Sequence, residues 1–174
     1  MHLFKLKGLI LGTLVLLSAA VFAVGSEPDL PPGCETIGVE TGNKVSFRAY
    51  AIGVQRYRWN GTAWVFVEPV ARLFSDEGYR GETGIHYAGP TWESNSGSKV
   101  VAAREAGCNV DPTAIDWLLL KAVSNEGPGP FQPITYIQRV NTVGGRAPAA
   151  PGSAIGALID IPYTAEYYFY RQQS

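Results

Sequence analysis

The stretch Val54-Gln55-Arg56-Tyr57-Arg58-Trp59-Asn60-Gly61-Thr62-Ala63-Trp64-Val65-Phe66-Val67-Glu68 decides the fold class. Both of its arms are rich in aromatic and β-branched residues, which favour extended strands. Asn60-Gly61 lies between the arms, and this dipeptide is the strongest short-range signal for a tight hairpin turn. The sequence therefore predicts a β-hairpin made of strands 54–59 and 63–68.

Upstream of the hairpin, every second residue from Val45 to Ala51 is apolar, which is typical of a half-buried strand. Gly53 is expected to break this strand before the hairpin begins. Pro69 is expected to end the second arm, since proline removes a backbone donor from the ladder. The nearly continuous apolar run Trp117–Val123 predicts a strand that is buried on both faces.

Asp111-Pro112 supplies a capping residue and a proline at the first helical position, so one short helical turn is predicted over 113–116. Turn residues separate the other segments with strand patterns. The fold class predicted is therefore all-β, a single antiparallel β-sandwich or barrel of about ten short strands with one short helical turn. The remaining predicted strands are 70–74, 82–87, 99–103, 134–141 and 163–170.

The N-terminus has the pattern of an export signal, with Lys5 and Lys7 before an uncharged apolar run over 8–24. Residues 1–23 are predicted to be a cleaved signal peptide, and an uncleaved membrane anchor is the alternative. A Pro-rich lead-in over 24–43 and a single β domain over 44–174 follow. These features predict a secreted or periplasmic protein, which would meet a membrane only through an uncleaved signal.

The charge balance excludes one class of partner. The formal net charge of the chain is −1, and removal of Lys5 and Lys7 with the signal shifts it to −3. A nucleic-acid partner would require a basic face, so none is predicted. In an oxidising compartment an even count of cysteines indicates a disulfide, and Cys34 and Cys108 are the only two in the sequence.

The segment 86–99 contains the only histidine of the predicted mature chain, followed by Trp92-Glu93 and a serine-rich turn. Metal sites need several converging His, Cys or carboxylate ligands, so no metal or other cofactor is predicted. His86 has two interpretations. It is a buried residue that fixes its loop through hydrogen bonds, or it lines a pocket.

Several collinear segments resemble a known family. The chain is similar to secreted bacterial and fungal proteins catalogued as domain of unknown function 3455, over about 44–170. The resemblance implies no activity. A malate dehydrogenase label used for some fungal members has no support here, since no G-x-G-x-x-G follows a strand. The segments that carry the resemblance are 57–66, 86–93, 117–120, 136–145 and 162–165.

Many bacterial members of that family have a cysteine where Trp59 stands, and another shortly after the Gly-Gly-x-Ala-Pro segment. This chain has neither, so the resemblance implies a differently placed disulfide here.

Three functions are consistent with the sequence. The first is a non-enzymatic binding module for an unknown small molecule or glycan, because aromatic and polar side chains suit a carbohydrate or another small polar or aromatic ligand. The second is a structural protein of the cell envelope or extracellular matrix. The third is a hydrolase that uses His86 and Glu93, or paired carboxylates drawn from Glu93, Glu166 and Asp116. The candidate ligand-binding residues are His86, Trp92, Glu93, Gln138, Arg139 and Asn141, with Tyr87, Tyr168 and Tyr170 as further stacking faces.

Overall fold

A computed structural model describes residues 26–173. The predicted signal peptide over 1–23 lies outside the described residues. No helix within the described part is long and apolar enough to cross a membrane. A single turn of 3-10 helix at Glu35–Ile37 precedes eight strands: β1 (Asn43–Trp59), β2 (Trp64–Phe74), β3 (Glu82–Tyr87), β4 (Thr91–Ser94), β5 (Lys99–Cys108), β6 (Trp117–Glu126), β7 (Ile134–Gly144) and β8 (Leu158–Gln172).

Each strand pairs antiparallel with the next one along the chain, and β8 pairs back with β1. The sheet therefore closes into a barrel. The predicted all-β antiparallel class is confirmed. The predicted hairpin is also confirmed, because β1 and β2 join at Asn60–Ala63, where the Asn60 Oδ1 accepts hydrogen bonds from the amides of Thr62 and Ala63 at 2.9 and 2.8 Å.

The predicted count of about ten strands is wrong, because two expected breaks do not occur. Gly53 continues β1, and a Cβ at this position would lie 2.2 Å from the Val70 carbonyl oxygen, so glycine permits the close approach of β2. Pro69 likewise remains in register opposite Gln55. The segment between His86 and Lys99, for which the sequence allows either one loop or a pair of hairpin arms, contains the short strand β4 paired with β3.

The predicted helical turn over 113–116 is also wrong. The Asp111 Oδ1 accepts hydrogen bonds from the amide and hydroxyl of Thr113, both at 2.7 Å, which holds the chain in a tight turn. Ala114 then bridges Gly145 in an isolated β-bridge, so the backbone returns to an extended form instead of continuing a helix.

The inner face of the barrel holds the main hydrophobic core. Phe47 stacks on Phe169 with ring centroids 4.6 Å apart, and Phe131 packs against both rings. Trp92 lies against the same cluster, where its ring contacts Phe169 and Tyr167. These aromatic rings fill one end and the middle of the interior. The opposite end contains a cavity.

A second core lies outside the barrel, where the lead-in covers the outer faces of β6, β7 and β8. Ile37 is fully buried there beside Leu119 and Tyr136. A disulfide joins Cys34 to Cys108, with Cα atoms 5.4 Å apart, so the pairing predicted from the cysteine count is confirmed. The lead-in is therefore part of the folded domain.

Candidate functional site

A cavity of about 620 Å³ opens at one end of the barrel. Most of its lining is apolar, and residues from β1, β2, β6 and β8 form its walls. An eight-stranded barrel has an interior just wide enough to be filled by side chains or to hold one small ligand. The lining residues are Gln55, Tyr57, Phe66, Val67, Pro69, His86, Gly89, Pro90, Trp92, Arg104, Ile115, Asp116, Leu118, Leu120, Arg139, Arg146 and Tyr167.

Trp92 and His86 form the floor of the cavity. They are cross-strand partners on β4 and β3, and both side chains point inward. Their rings stack with centroids 4.2 Å apart and an interplanar angle of 11°, while the Tyr167 ring meets both rings edge-on. Trp92 is 1% exposed and His86 is 3% exposed, so this floor is fixed by packing.

His86 is held as a neutral ring. Its Nδ1 lies 2.8 Å from the Thr91 carbonyl oxygen, which can only accept, so Nδ1 carries the proton. Burial lowers the pKa of His86 from its ordinary 6.5 to about 3, and the positive charge of Arg139 adds to this fall. The hydrogen bond to Thr91 opposes the shift without cancelling it. His86 therefore fixes its turn through the hydrogen bond to Thr91 and also borders the cavity, and its role in ligand binding stays a prediction.

This shift predicts a pH-dependent stability. His86 takes up a proton near pH 6.5 in the unfolded chain but only near pH 3 in the folded one, so stability is lost as the pH falls below 6.5. We expect this group alone to lower the free energy of unfolding by about 2 kcal/mol between neutral pH and about pH 5.

Urea unfolding of the wild type and of His86→Gln over this pH range measures the effect. Carboxylates contribute equally to both proteins, so the difference between the two curves isolates His86. Parallel curves would contradict the prediction.

Arg139 enters the cavity from β7 and is half-buried. Its Nε and Nη2 donate to the backbone carbonyl oxygen of Asp116 at 3.1 and 2.8 Å. Among residues 26–173, no carboxylate lies within ion-pair distance of Arg139. The carbonyl orients the guanidinium but leaves its charge unbalanced.

Two further arginines stand at the mouth of the cavity around one carboxylate. The Asp116 carboxylate oxygens lie 3.5 Å from Arg104 Nη2 and 3.5 Å from Arg146 Nη2. The Nε of Arg146 also donates to the Ala114 carbonyl oxygen at 2.6 Å. With Arg139, the lining carries three guanidinium groups against one carboxylate, so the mouth is electropositive.

Two buried hydrogen-bond donors in the lining lack partners within the described chain. They are the indole Nε1 of Trp92 and the amide Nε2 of Gln55. Gln55 lies close enough to Tyr163 to affect the pKa of its hydroxyl, but its Nε2 makes no hydrogen bond. Buried polar groups are nearly always paired, so these two donors are exceptions, and both belong to side chains that line the same cavity.

A model of the family described as Protein of unknown function (DUF3455) matches residues 40–171. The chain belongs to this family. The match includes all the cavity-lining residues and ends one residue short of the end of β8. No curated protein and no solved structure matches the chain.

The DUF3455 barrel brings together three of the six predicted ligand-binding residues. His86, Trp92 and Arg139 line the cavity. Glu93 follows Trp92 on β4 and points to the outer face, where it accepts a hydrogen bond from the Tyr87 hydroxyl at 2.7 Å. A pair of His86 and Glu93 is therefore not formed, because neighbouring residues of a strand face opposite sides of the sheet.

Gln138 and Asn141 also lie away from the cavity. Gln138 is 2% exposed beneath the lead-in, where its Nε2 donates to the Ile37 carbonyl oxygen at 2.6 Å and its Oε1 accepts from the Tyr170 hydroxyl. Asn141 is exposed at a bulge in β7 and donates to Glu166 at 3.0 Å. Both side chains form hydrogen bonds within the fold, so the cavity contains fewer of the predicted polar side chains than expected.

The predicted stacking residues Tyr168 and Tyr170 also lie away from the cavity, and the predicted carboxylates Glu166 and Asp116 lie apart from each other. Tyr168 and Tyr170 pack in the outer core beneath the lead-in. Glu166 lies on the outer face beside Arg48, whereas Asp116 stands at the mouth of the cavity. No group of three or more His, Cys, Asp or Glu side chains in the described range is placed to hold a metal ion.

Sequence reasoning missed Gln55, Arg104, Asp116 and Arg146 as lining residues. For Gln55 a signal existed, because the inward alternation from Phe47 to Ala51 reaches Gln55 if Gly53 does not interrupt the strand. Phe66 is 50% exposed at the edge of the cavity. The mouth arginines come from distant segments that meet only when the barrel closes.

Proposed function

We propose that this protein is a non-enzymatic binding protein that encloses a small planar molecule of mixed apolar and polar character inside its barrel. The observation that carries this proposal is the cavity of about 620 Å³ with two unpaired buried donors in its wall. Its volume lies within the range of ligand pockets in proteins, roughly 300–1,000 Å³.

The lining favours a planar apolar body over a sugar. Ile115, Leu118 and Leu120 form an aliphatic wall, and aliphatic side chains offer no partners for the many hydroxyls of a carbohydrate. The indole of Trp92 already stacks on His86, so it is not free to serve as a platform for a sugar ring. Its N–H has no acceptor within the described chain.

The polar groups of the cavity suit binding better than catalysis. No serine, threonine or cysteine is among the lining residues, and the hydroxyls there belong to Tyr57 and Tyr167. Burial raises the pKa of both tyrosines, which disfavours the phenolate, and the Tyr57 hydroxyl already donates to the Gly145 carbonyl oxygen at 2.7 Å. His86 is neutral and donates its Nδ1 proton to a backbone carbonyl. Asp116 is engaged by two arginines. These fixed groups orient a ligand without a proton transfer.

We further propose that the protein acts outside the cytoplasm. The disulfide between Cys34 and Cys108 supports this location, since structural disulfides persist in oxidising compartments. The predicted signal peptide is the second support. A binding protein in that setting would capture its ligand from the surrounding fluid or from the envelope.

The test is binding of N-phenylnaphthylamine, a neutral planar dye whose emission rises in apolar surroundings. We expect saturable binding to the purified protein with one site per chain. Leu120→Trp places a large side chain in the cavity and should weaken binding at least about tenfold, a change of about 1.4 kcal/mol.

Val123→Trp is the matched control on the same strand, because Val123 is 64% exposed on the outside of the barrel. It should leave dye binding unchanged. Val67→Trp, at the edge of the cavity, replaces Leu120→Trp if that variant does not fold. A wild type that binds no dye, or dye binding that both cavity variants leave intact, would overturn the proposal and favour a structural protein without a ligand.

A further inference from the structure

We propose that the ligand of this cavity is a monovalent organic anion, a carboxylate on a planar apolar body, and that Arg139 binds the carboxylate. This inference rests on the proposed binding function and deepens it by naming the chemical class of the ligand. Its basis is a half-buried guanidinium that faces the cavity with no counterion among the described residues.

The guanidinium of Arg139 carries a positive charge that no carboxylate of the described chain balances. Moving a charge out of water is costly unless it is paired, and charges that remain within a protein are usually neutralised by an opposite charge. The Asp116 carbonyl oxygen satisfies two N–H groups of Arg139 but carries no net charge. The Nη1 group has no carbonyl or carboxylate partner in the described chain, so an anion in the cavity would supply the missing charge.

The charge of Arg139 acts on groups that lie around the cavity. Arg139 lowers the pKa of His86 and partly offsets the rise that burial imposes on the pKa of Tyr167 and Tyr163. Its positive field therefore extends across the floor of the cavity. His86 stays neutral in that field and cannot replace Arg139 as the cation.

The mouth of the cavity also carries an excess of positive charge. Arg104 and Arg146 share a single carboxylate, so a ligand approaching from solvent meets an excess of positive charge. Such a field concentrates anions at an entrance and raises their association rate. Among residues 26–173, Asp116 is the only negatively charged group that lines the cavity.

The number of charges selects the class of anion. One half-buried guanidinium balances a single negative charge, and its planar fork matches the two oxygens of a carboxylate. A divalent phosphate would bring a second charge against an aliphatic wall that contains Leu118 and Leu120.

The experiment compares cinnamate with cinnamamide, which share a planar body but differ in charge at neutral pH. Each is used to displace N-phenylnaphthylamine from the purified full chain. We expect cinnamate to bind at least about tenfold tighter than cinnamamide, and Arg139→Gln to reduce this preference to within about twofold. Arg139→Lys keeps the charge without the fork and should retain part of the preference.

Arg58→Gln is the matched control, because Arg58 is an exposed arginine on β1 that does not line the cavity. It should leave the preference unchanged. Equal displacement by acid and amide, or a preference that survives in Arg139→Gln, would overturn the anion assignment while dye binding still supports the binding function. If Arg139→Gln does not fold, the test rests on the ratio of cinnamate to cinnamamide affinity in the wild type and on whether Arg139→Lys lowers that ratio. Absence of dye binding would overturn both proposals.

Discussion

Replacing Trp92 with alanine is expected to lower the free energy of unfolding by about 4 kcal/mol, in the middle of the range for truncation of a buried aromatic residue. The indole contacts the rings of His86, Tyr167 and Phe169, with centroid distances of 4.2, 5.4 and 6.2 Å. The void left behind would join the existing cavity, so the surrounding strands cannot collapse to fill it. The loss is almost entirely one of packing, because the indole N–H has no hydrogen-bond partner to lose.

Trp92→Phe separates packing from polarity in the same experiment. It retains a ring against His86 and removes the unpaired donor, so it should cost clearly less than the alanine variant. Urea unfolding followed by circular dichroism gives the stabilities. Val123→Ala, an exposed change on β6, should stay within about 0.5 kcal/mol of the wild type. A loss below about 2 kcal/mol for Trp92→Ala would contradict the central packing role assigned to Trp92.

The strands of this barrel were predictable because inward and outward residues alternate along the chain. The alternation from Phe47 to Ala51 and the hairpin at Asn60-Gly61 could both be read from local sequence. Val45, predicted to share the face of Phe47, lies in the outer core instead, because the register shifts between the two residues. The two missed junctions have a common cause. Gly53 and Pro69 disfavour strands in isolation, but each lies where the closed sheet tolerates it, one at a close backbone approach and the other opposite Gln55.

The candidate site was only partly predictable, and strand alternation explains the errors. Trp92 and Glu93 are neighbours in sequence, as are Gln138 and Arg139, yet the members of each pair face opposite sides of the sheet. Grouping neighbours into one site therefore added residues that the barrel wall separates. A stricter use of the two-residue period would have kept one member of each pair.

The cavity itself could not be predicted from any one segment. Whether an eight-stranded barrel is filled or hollow depends on the summed size of inward side chains from all its strands. Here Phe47, Phe131 and Phe169 fill one end, while the other end leaves space between Gln55, Leu118 and Arg139. The unpaired state of Arg139 is also a property of the closed barrel, since Asp116 reaches it through a backbone carbonyl.

The Cys34–Cys108 disulfide carries the second large prediction. It closes a loop with a sequence separation of 74 residues, for which the chain-entropy model gives roughly 4 kcal/mol of stabilisation. We expect the double variant Cys34→Ala/Cys108→Ala to lose about that much free energy of unfolding. Without the bond, the lead-in is held to the barrel by noncovalent contacts such as the 2.6 Å hydrogen bond from Gln138 to Ile37.

Three measurements test this role together. The denatured, unreduced wild type should contain essentially no free thiol, and a reductant should lower its stability towards that of the double variant, which should not respond to reductant. Limited proteolysis should cut the lead-in over 26–42 faster in the double variant than in the wild type, because loss of the crosslink allows local opening before global unfolding. Two free thiols per wild-type chain, or a double variant within about 1 kcal/mol of the wild type, would show that the disulfide does not hold the outer core together.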